Sequence, residues 1–144
     1  MEGRHDPGMG ERLVGVVITY LDTSVAVWLA QKSLERISPA ALDHLTHAAT
    51  DCRLSPTVLL ELEFLYEIGR ILLPAADIRR KLETEAGVKV CDLGFPLIAE
   101  TALRESWTRD PFDRLITAHA RANSLAWLVT SDRRIREAYP RAIW

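Results

Sequence analysis

Long apolar runs are missing from this sequence of 144 residues. Nothing approaches the roughly 18 to 20 uninterrupted apolar residues of a membrane span, and the first dozen residues lack the apolar stretch of a secretory signal. The chain is therefore expected to have no membrane association and to be cytoplasmic. Cysteine is scarce. Cys52 and Cys91 each sit in a short strand-like run without CxxC spacing, which predicts two reduced thiols and neither a disulfide framework nor a zinc site. An excess of charge of one sign is also absent: 18 Lys and Arg against 20 Asp and Glu leave a net charge of -2, which argues against nucleic-acid binding by bulk charge but leaves room for a local basic rim. Lysine is nearly missing, with only Lys32, Lys81 and Lys89, so the basic groups are almost all arginines. What is present, 48% hydrophobic and 26% charged residues, is the balance of a folded globular chain of one domain.

Residues 1–13, with Gly3, Pro7, Gly8 and Gly10 and no periodicity, read as a flexible leader in which Met9 is an alternative start; residues 14–144 read as the domain. The β-branched run from Val14 to Leu21 is apolar on both faces, as a central parallel strand is, and Asp22 ends it. Ser38-Pro39 starts a helix to about Thr50, followed by a strand over Cys52 to Leu54. Ser55-Pro56 repeats that signal for a helix to about Leu73. Pro74 opens another to Ala86, which Gly87 stops before a strand at Val88 to Cys91. Helices are then predicted from Pro96 to Trp107 and from Asp110-Pro111 to about Asn123. A strand over Leu125 to Thr130, a short helix over Arg133 to Ala138 and an edge strand over Ala142 to Trp144 complete the chain. Strands alternating with helices specify an α/β fold with a mainly parallel central sheet and helices on both faces.

In such a sheet ligands bind beyond the carboxyl ends of the strands, so acids placed there carry the signal. Asp22 follows the first strand and Asp132 the fourth; each also suits a helix N-cap. Glu61 falls between Leu65 and Ile68 on a helical wheel, inside the apolar sector, whereas Glu63 and Glu67 project away. A carboxylate on a packing face needs an arginine, a hydrogen-bond network or a cation. Asp113 lies three residues after Asp110 at the start of its helix, and either acid suits the cap. Like charges gathered at one edge repel, and the usual reason to collect them is a hard divalent cation with oxygen ligands, Mg²⁺ or Mn²⁺. Such an ion commonly binds phosphate, which points to phosphodiester hydrolysis. Arg109, Arg114, Arg133 and Arg134 stand beside these acids in sequence and suit a phosphate backbone. The histidines form no ligand pattern with the cysteines. His119 lies on an apolar face and is expected to be a hydrogen-bonded core residue, while His44 and His47 share a partly exposed helix face.

The segments Thr19-Tyr20-Leu21-Asp22-Thr23-Ser24, Leu54-Ser55-Pro56-Thr57-Val58-Leu59-Leu60-Glu61-Leu62, Asp110-Pro111-Phe112-Asp113-Arg114-Leu115-Ile116 and Val129-Thr130-Ser131-Asp132 resemble, in order and spacing, the PIN-domain nucleases, particularly the VapC toxins of bacterial toxin-antitoxin pairs. The resemblance implies a PIN-like three-layer fold and a Mg²⁺- or Mn²⁺-dependent endoribonuclease with Asp22, Glu61, Asp113 and Asp132 as its acidic tetrad. It further implies RNA as substrate, a homodimer and a small VapB-like antitoxin as partners. By the same analogy Ser24 and Thr130 are hydroxyls supporting the metal-bound water.

Three other readings compete. A phosphoacceptor signalling domain needs a late lysine, and none occurs after Lys89. A haloacid-dehalogenase-type phosphatase needs an Asp at position 24, where Ser24 stands. A non-catalytic PIN-like module binding RNA or protein is the remaining alternative, and retention of four mutually repelling acids argues against it.

Overall fold

The computed structural model describes residues 15–144, so the expected leader and Val14 lie outside the described residues. Five strands, β1 (Val17–Leu21), β2 (Thr50–Leu54), β3 (Lys89–Val90), β4 (Trp127–Val129) and β5 (Ala142–Ile143), form one sheet in the order β3-β2-β1-β4-β5. Every neighbouring pair is parallel. Seven α-helices accompany them: α1 (Thr23–Ala30), α2 (Pro39–Thr46), α3 (Pro56–Glu67), α4 (Ala75–Ala86), α5 (Phe95–Ala102), α6 (Pro111–Ala122) and α7 (Arg133–Ala138). This is the predicted α/β architecture.

Side chains of β1 show the layering. Successive residues of a strand point to opposite faces. Thr19 Oγ1 lies 2.8 Å from His44 Nε2 on α2, and the next ring, Tyr20, lies 6.1 Å from that of His119 on α6. The two helices therefore cover opposite faces of the sheet. Tyr20 and Leu21, both fully buried, join Leu54, Leu62, Ile78, Ile116 and Leu128 in the principal core.

Helix starts follow the local signals. Ser38 Oγ accepts from the Ala41 amide at 3.1 Å and Ser55 Oγ from the Thr57 amide at 3.0 Å, each just ahead of a proline whose missing N–H costs nothing there. Gly87 ends α4 in the left-handed conformation at φ 66°, and the Val88 amide closes onto the Leu82 carbonyl at 3.1 Å.

Several ends differ from the sequence expectation. α3 stops at Glu67 rather than near Leu73, because Gly69 turns at φ 78° and the Arg70 amide donates back to the Leu65 carbonyl at 2.8 Å. α5 stops at Ala102 rather than Trp107. The segment after it is held instead by Glu105, 2% exposed, which accepts from Arg121 Nε at 2.7 Å and Trp107 Nε1 at 2.9 Å. α2 ends at Thr46, and Thr50, assigned to it from sequence, begins β2. β4 starts two residues late because Ser124 and Leu125 both take positive φ in the turn that closes α6. Phe64 and Tyr66 of α3 are 46% and 41% exposed.

The chain builds outward from β1 through β2 to β3, then returns to place β4 on the other side of β1. The crevice between the carboxyl ends of β1 and β4 is thus the point where the winding reverses, the usual ligand position in such sheets. The two ends are level there: Leu21 pairs with Val129, and the Asp22 amide donates to the Val129 carbonyl at 3.0 Å.

Candidate active site

Asp22 leaves β1 at this crevice and caps α1, its Oδ1 accepting from the Thr23 amide at 2.8 Å. Its other oxygen, Oδ2, accepts from Thr130 Oγ1 at 2.6 Å, at the end of β4. Thr130 is fully buried and also accepts from the Asp132 amide at 3.0 Å, so one hydroxyl sets two of the expected acids. Asp132 caps α7, with Oδ1 accepting from the Arg134 and Ile135 amides at 2.8 and 3.2 Å. The cap reading and the site reading are therefore compatible for both residues.

Glu61 enters from α3, partly buried, and its Oε1 accepts from Thr23 Oγ1 at 2.5 Å; Glu63, expected to project away, is partly buried as well. Thr23 is the hydroxyl that sequence reasoning missed. Ser24, singled out instead, is exposed and makes no side-chain hydrogen bond among the described residues. Position alone does not separate the two. Thr23, 4% exposed, is turned inward because it is the first residue of α1, whose next turn packs Val25, Ala26 and Val27 into the core.

The Asp110 and Asp113 ambiguity resolves by geometry. Asp110 Oδ1 accepts from the Phe112 amide at 2.9 Å and the Asp113 amide at 3.4 Å, so Asp110 is the cap. The Asp110 amide is satisfied by Thr108 Oγ1 at 3.1 Å, which leaves no reciprocal capping duty for Asp113. Glu63 is also employed elsewhere: it accepts from the Ala75 amide at 3.0 Å and anchors the start of α4, where Pro74 supplies no side-chain cap.

Electrostatics bring these groups together. Burial raises the Asp113 carboxyl to about 7, with the negative charges of Asp110, Asp22, Asp132 and Glu61 adding to the shift. Asp22 is also raised, first by burial, against the lowering effect of its Thr130 and Thr23 hydrogen bonds. Glu61 rises for the same first reason, offset by Thr23 and pushed further by Asp22 and Asp110. None of Asp22, Glu61, Asp113 and Asp132 has an ion-pair partner among the described residues.

The donor set is all oxygen and has no counter-charge among the described residues, which fits a hard divalent cation better than any soft metal. Among the described residues no three carboxylate, imidazole or thiol groups stand close enough to ligate one ion directly. A Mg²⁺-type ion does not require that, because it keeps several of its waters and takes only one or two carboxylates directly.

The four arginines expected to guide RNA are all engaged with protein groups. Arg114 Nε donates to the Thr108 carbonyl at 2.9 Å and braces the loop before α6. Arg134 reaches the Trp107 carbonyl at 3.1 Å and lies 6.0 Å from the Trp107 ring centroid. Arg133 pairs with Glu137 at 2.9 Å, and Arg109 donates to the Ser106 carbonyl at 3.3 Å; both are exposed. His119 is the buried, hydrogen-bonded histidine expected, with Nδ1 2.9 Å from Ser55 Oγ.

No curated protein matches the chain. Among solved structures, VapBC2 from Rickettsia felis, bound to a DNA fragment from its promoter, is 20% identical over 88% of this chain and 96% of that one, with a TM-score of 0.54. DNA-bound VapBC from Salmonella typhimurium is 20% identical over the same shares, with a TM-score of 0.47. The family model for the PIN domain matches residues 19–139, a span that contains Asp22, Glu61, Asp113 and Asp132. The chain belongs to the PIN domain family.

Proposed function

We propose that this protein is a divalent-metal-dependent endoribonuclease that hydrolyses RNA phosphodiesters, acting as the toxin of a toxin-antitoxin pair. The observation that carries the reading is the uncompensated carboxylate group at the reversal of the sheet, with Asp113 raised to about 7. Asp22, Glu61, Asp113 and Asp132 would hold Mg²⁺ or Mn²⁺. When bound, that ion supplies an activated water and neutralises charge developing on the phosphate. The protein's own part is positional. Thr130 holds one oxygen of Asp22, Thr23 holds one of Glu61, and Asp110 caps the first turn of α6, which carries Asp113.

The toxin role, a VapB-like antitoxin, self-association as a homodimer and a cytoplasmic location belong to the same proposal. The toxin role and the antitoxin partner draw support from the fold neighbour from Rickettsia felis, itself a VapBC complex. The test is purified protein with mixed RNA in Mg²⁺, in Mn²⁺ and in EDTA, beside Asp22→Asn. Metal-dependent cutting absent from the variant supports the enzyme. A melting temperature indifferent to either ion, together with no cutting, favours a non-catalytic binding module, because an ion that binds only the folded state must raise stability.

A further inference from the structure

A second groove, of about 320 Å³, opens along the contact between α1 and the C-terminal end of α3, and Ser24, Trp28, Gln31, Arg36 and Arg70 are among its lining residues. It runs along the two helices that also carry Asp22, as the cap of α1, and Glu61. Along α1 the groove face runs Ser24, Val27, Trp28, Gln31, starting two residues after Asp22. Along α3, Leu65 lies one helical turn beyond Glu61 and on the same face. From Ser24 to Gln31 the helix advances about 10 Å, which sets the length of the groove leading away from the acids.

Its far wall is basic. Arg36 and Arg70 are exposed, and neither guanidinium has a carboxylate partner or a side-chain hydrogen bond among the described residues. This sets them apart from Arg114, Arg133 and Arg134, which are committed to protein groups. Both are held by local structure. The Arg36 guanidinium lies 5.5 Å from the Trp28 ring centroid, and that ring packs 5.9 Å from Trp144. Arg70 is placed by the Gly69 turn that ends α3 early and bonds its amide to Leu65. One larger groove, about 510 Å³, is lined by Leu60, Phe95, Phe112 and Leu115 and contains no arginine or lysine, so it does not fit a phosphate; another, about 450 Å³ and lined by Lys89, lies at the amino ends of β1 and β2, away from the acids.

We infer that Arg36 and Arg70 form a phosphate-holding wall that receives the single-stranded RNA flanking the bond to be cut, leading it along the α1/α3 groove into the acidic crevice. The inference rests on the ribonuclease reading above. Planar guanidinium groups suit bidentate phosphate contact, and a stacked one is already restrained for it. Two cations beside a cluster of acids also explain how a chain of net charge -2 can accept a polyanion at this edge.

The experiment measures binding of a fluorescein-labelled single-stranded RNA of mixed sequence by anisotropy, in EDTA, across a salt series. Wild type is compared with Arg36→Gln/Arg70→Gln and Arg36→Lys/Arg70→Lys, with equal melting temperatures as the check on folding. Loss of two phosphate contacts on a single strand should lower the slope of log K against log salt by about 1.4. The lysine pair, which keeps the charges, should recover most of that slope. An unchanged slope in the glutamine pair overturns the inference, and so does unchanged RNA affinity accompanied by loss of self-association in light scattering, which would assign the groove to protein. Cleavage by wild type in Mg²⁺, run alongside, separates the two readings. Cutting with an unchanged slope removes the groove alone, and a lowered slope without cutting removes the nuclease alone.

Discussion

Thr130 Oγ1 donates to Asp22 Oδ2 at 2.6 Å, tying the end of β4 to the end of β1 across the point where the sheet reverses. The same oxygen accepts from the Asp132 amide at 3.0 Å. One fully buried hydroxyl therefore orients one acid and positions another. Thr130→Val keeps the shape but leaves an amide and a carboxylate oxygen without their partner. The expected cost is about 1 to 3 kcal/mol in urea unfolding. Cleavage should fall roughly tenfold to a hundredfold, the usual effect of removing the support behind a metal-binding carboxylate. Wild-type rates in a destabilised Thr130→Val protein would show that the hydroxyl serves folding only.

Asp113 makes the metal-free protein sensitive to pH. Its carboxyl is raised to about 7, first by burial and then by Asp110, Asp22, Asp132 and Glu61. In the unfolded chain it titrates near the ordinary carboxylate value of about 3.9. The folded state thus binds this proton more tightly, and its ionisation opposes folding. The penalty is absent below about pH 4 and grows until it is complete above about pH 7, so metal-free stability should rise as pH falls through that window. Asp113→Asn should remove the penalty and stabilise the EDTA-treated protein at about pH 8, by on the order of 1 kcal/mol after screening, with little effect near pH 4. Chemical denaturation at the two pH values checks it, and equal effects at both would refute the assignment.

Much of this is legible in the sequence. β1, Asp22 and the two Ser-Pro helix starts follow from β-branched runs and capping chemistry, which act over a few residues. Glu61 stood out by helical periodicity because the wheel sets it between Leu65 and Ile68, although Ile68 caps the end of α3 and is 51% exposed. The length of α3 was not recoverable, because its end depends on Gly69 taking positive φ, and a glycine within a helical pattern does not announce which conformation it adopts. The choice of Thr23 over Ser24 and the commitment of Arg114 to the Thr108 carbonyl depend on tertiary neighbours. Arg36 and Arg70 of the α1/α3 groove are far apart in sequence, so no local motif marks them.

Asp110 and Asp113 separate capping from chemistry within one turn of helix. Asp110→Asn preserves a side-chain oxygen for the Phe112 amide, and asparagine caps as well as aspartate, so stability should hold and most cleavage should remain. Asp110→Ala should cost about 1 kcal/mol by loss of the cap. Asp113→Asn should abolish cleavage. Cleavage assays on the three purified variants decide the matter, and loss in Asp110→Asn equal to that in Asp113→Asn would place Asp110 in the site instead.

Glu61 and Glu63 make the sharpest internal control, because the same helix assigns them opposite duties. Glu61 Oε1 accepts from Thr23 Oγ1 beside Asp22, whereas Glu63 Oε1 accepts from the Ala75 amide at the start of α4. Glu63→Ala removes the one side-chain acceptor that the described residues place at that helix start, since Pro74 contributes none, and should lower stability by about 1 kcal/mol, as loss of a helix cap does. Its cleavage rate at a temperature where it is fully folded should stay near wild type. Glu61→Gln should do the reverse: it relieves repulsion with Asp22 and keeps an acceptor for Thr23, so the fold should hold while metal-dependent cleavage is lost. Thermal melting and RNA cleavage measured on both proteins test the division. If Glu63→Ala loses activity while folded and Glu61→Gln retains it, the acid carried by α3 has been misidentified, and the helical-wheel assignment fails with it.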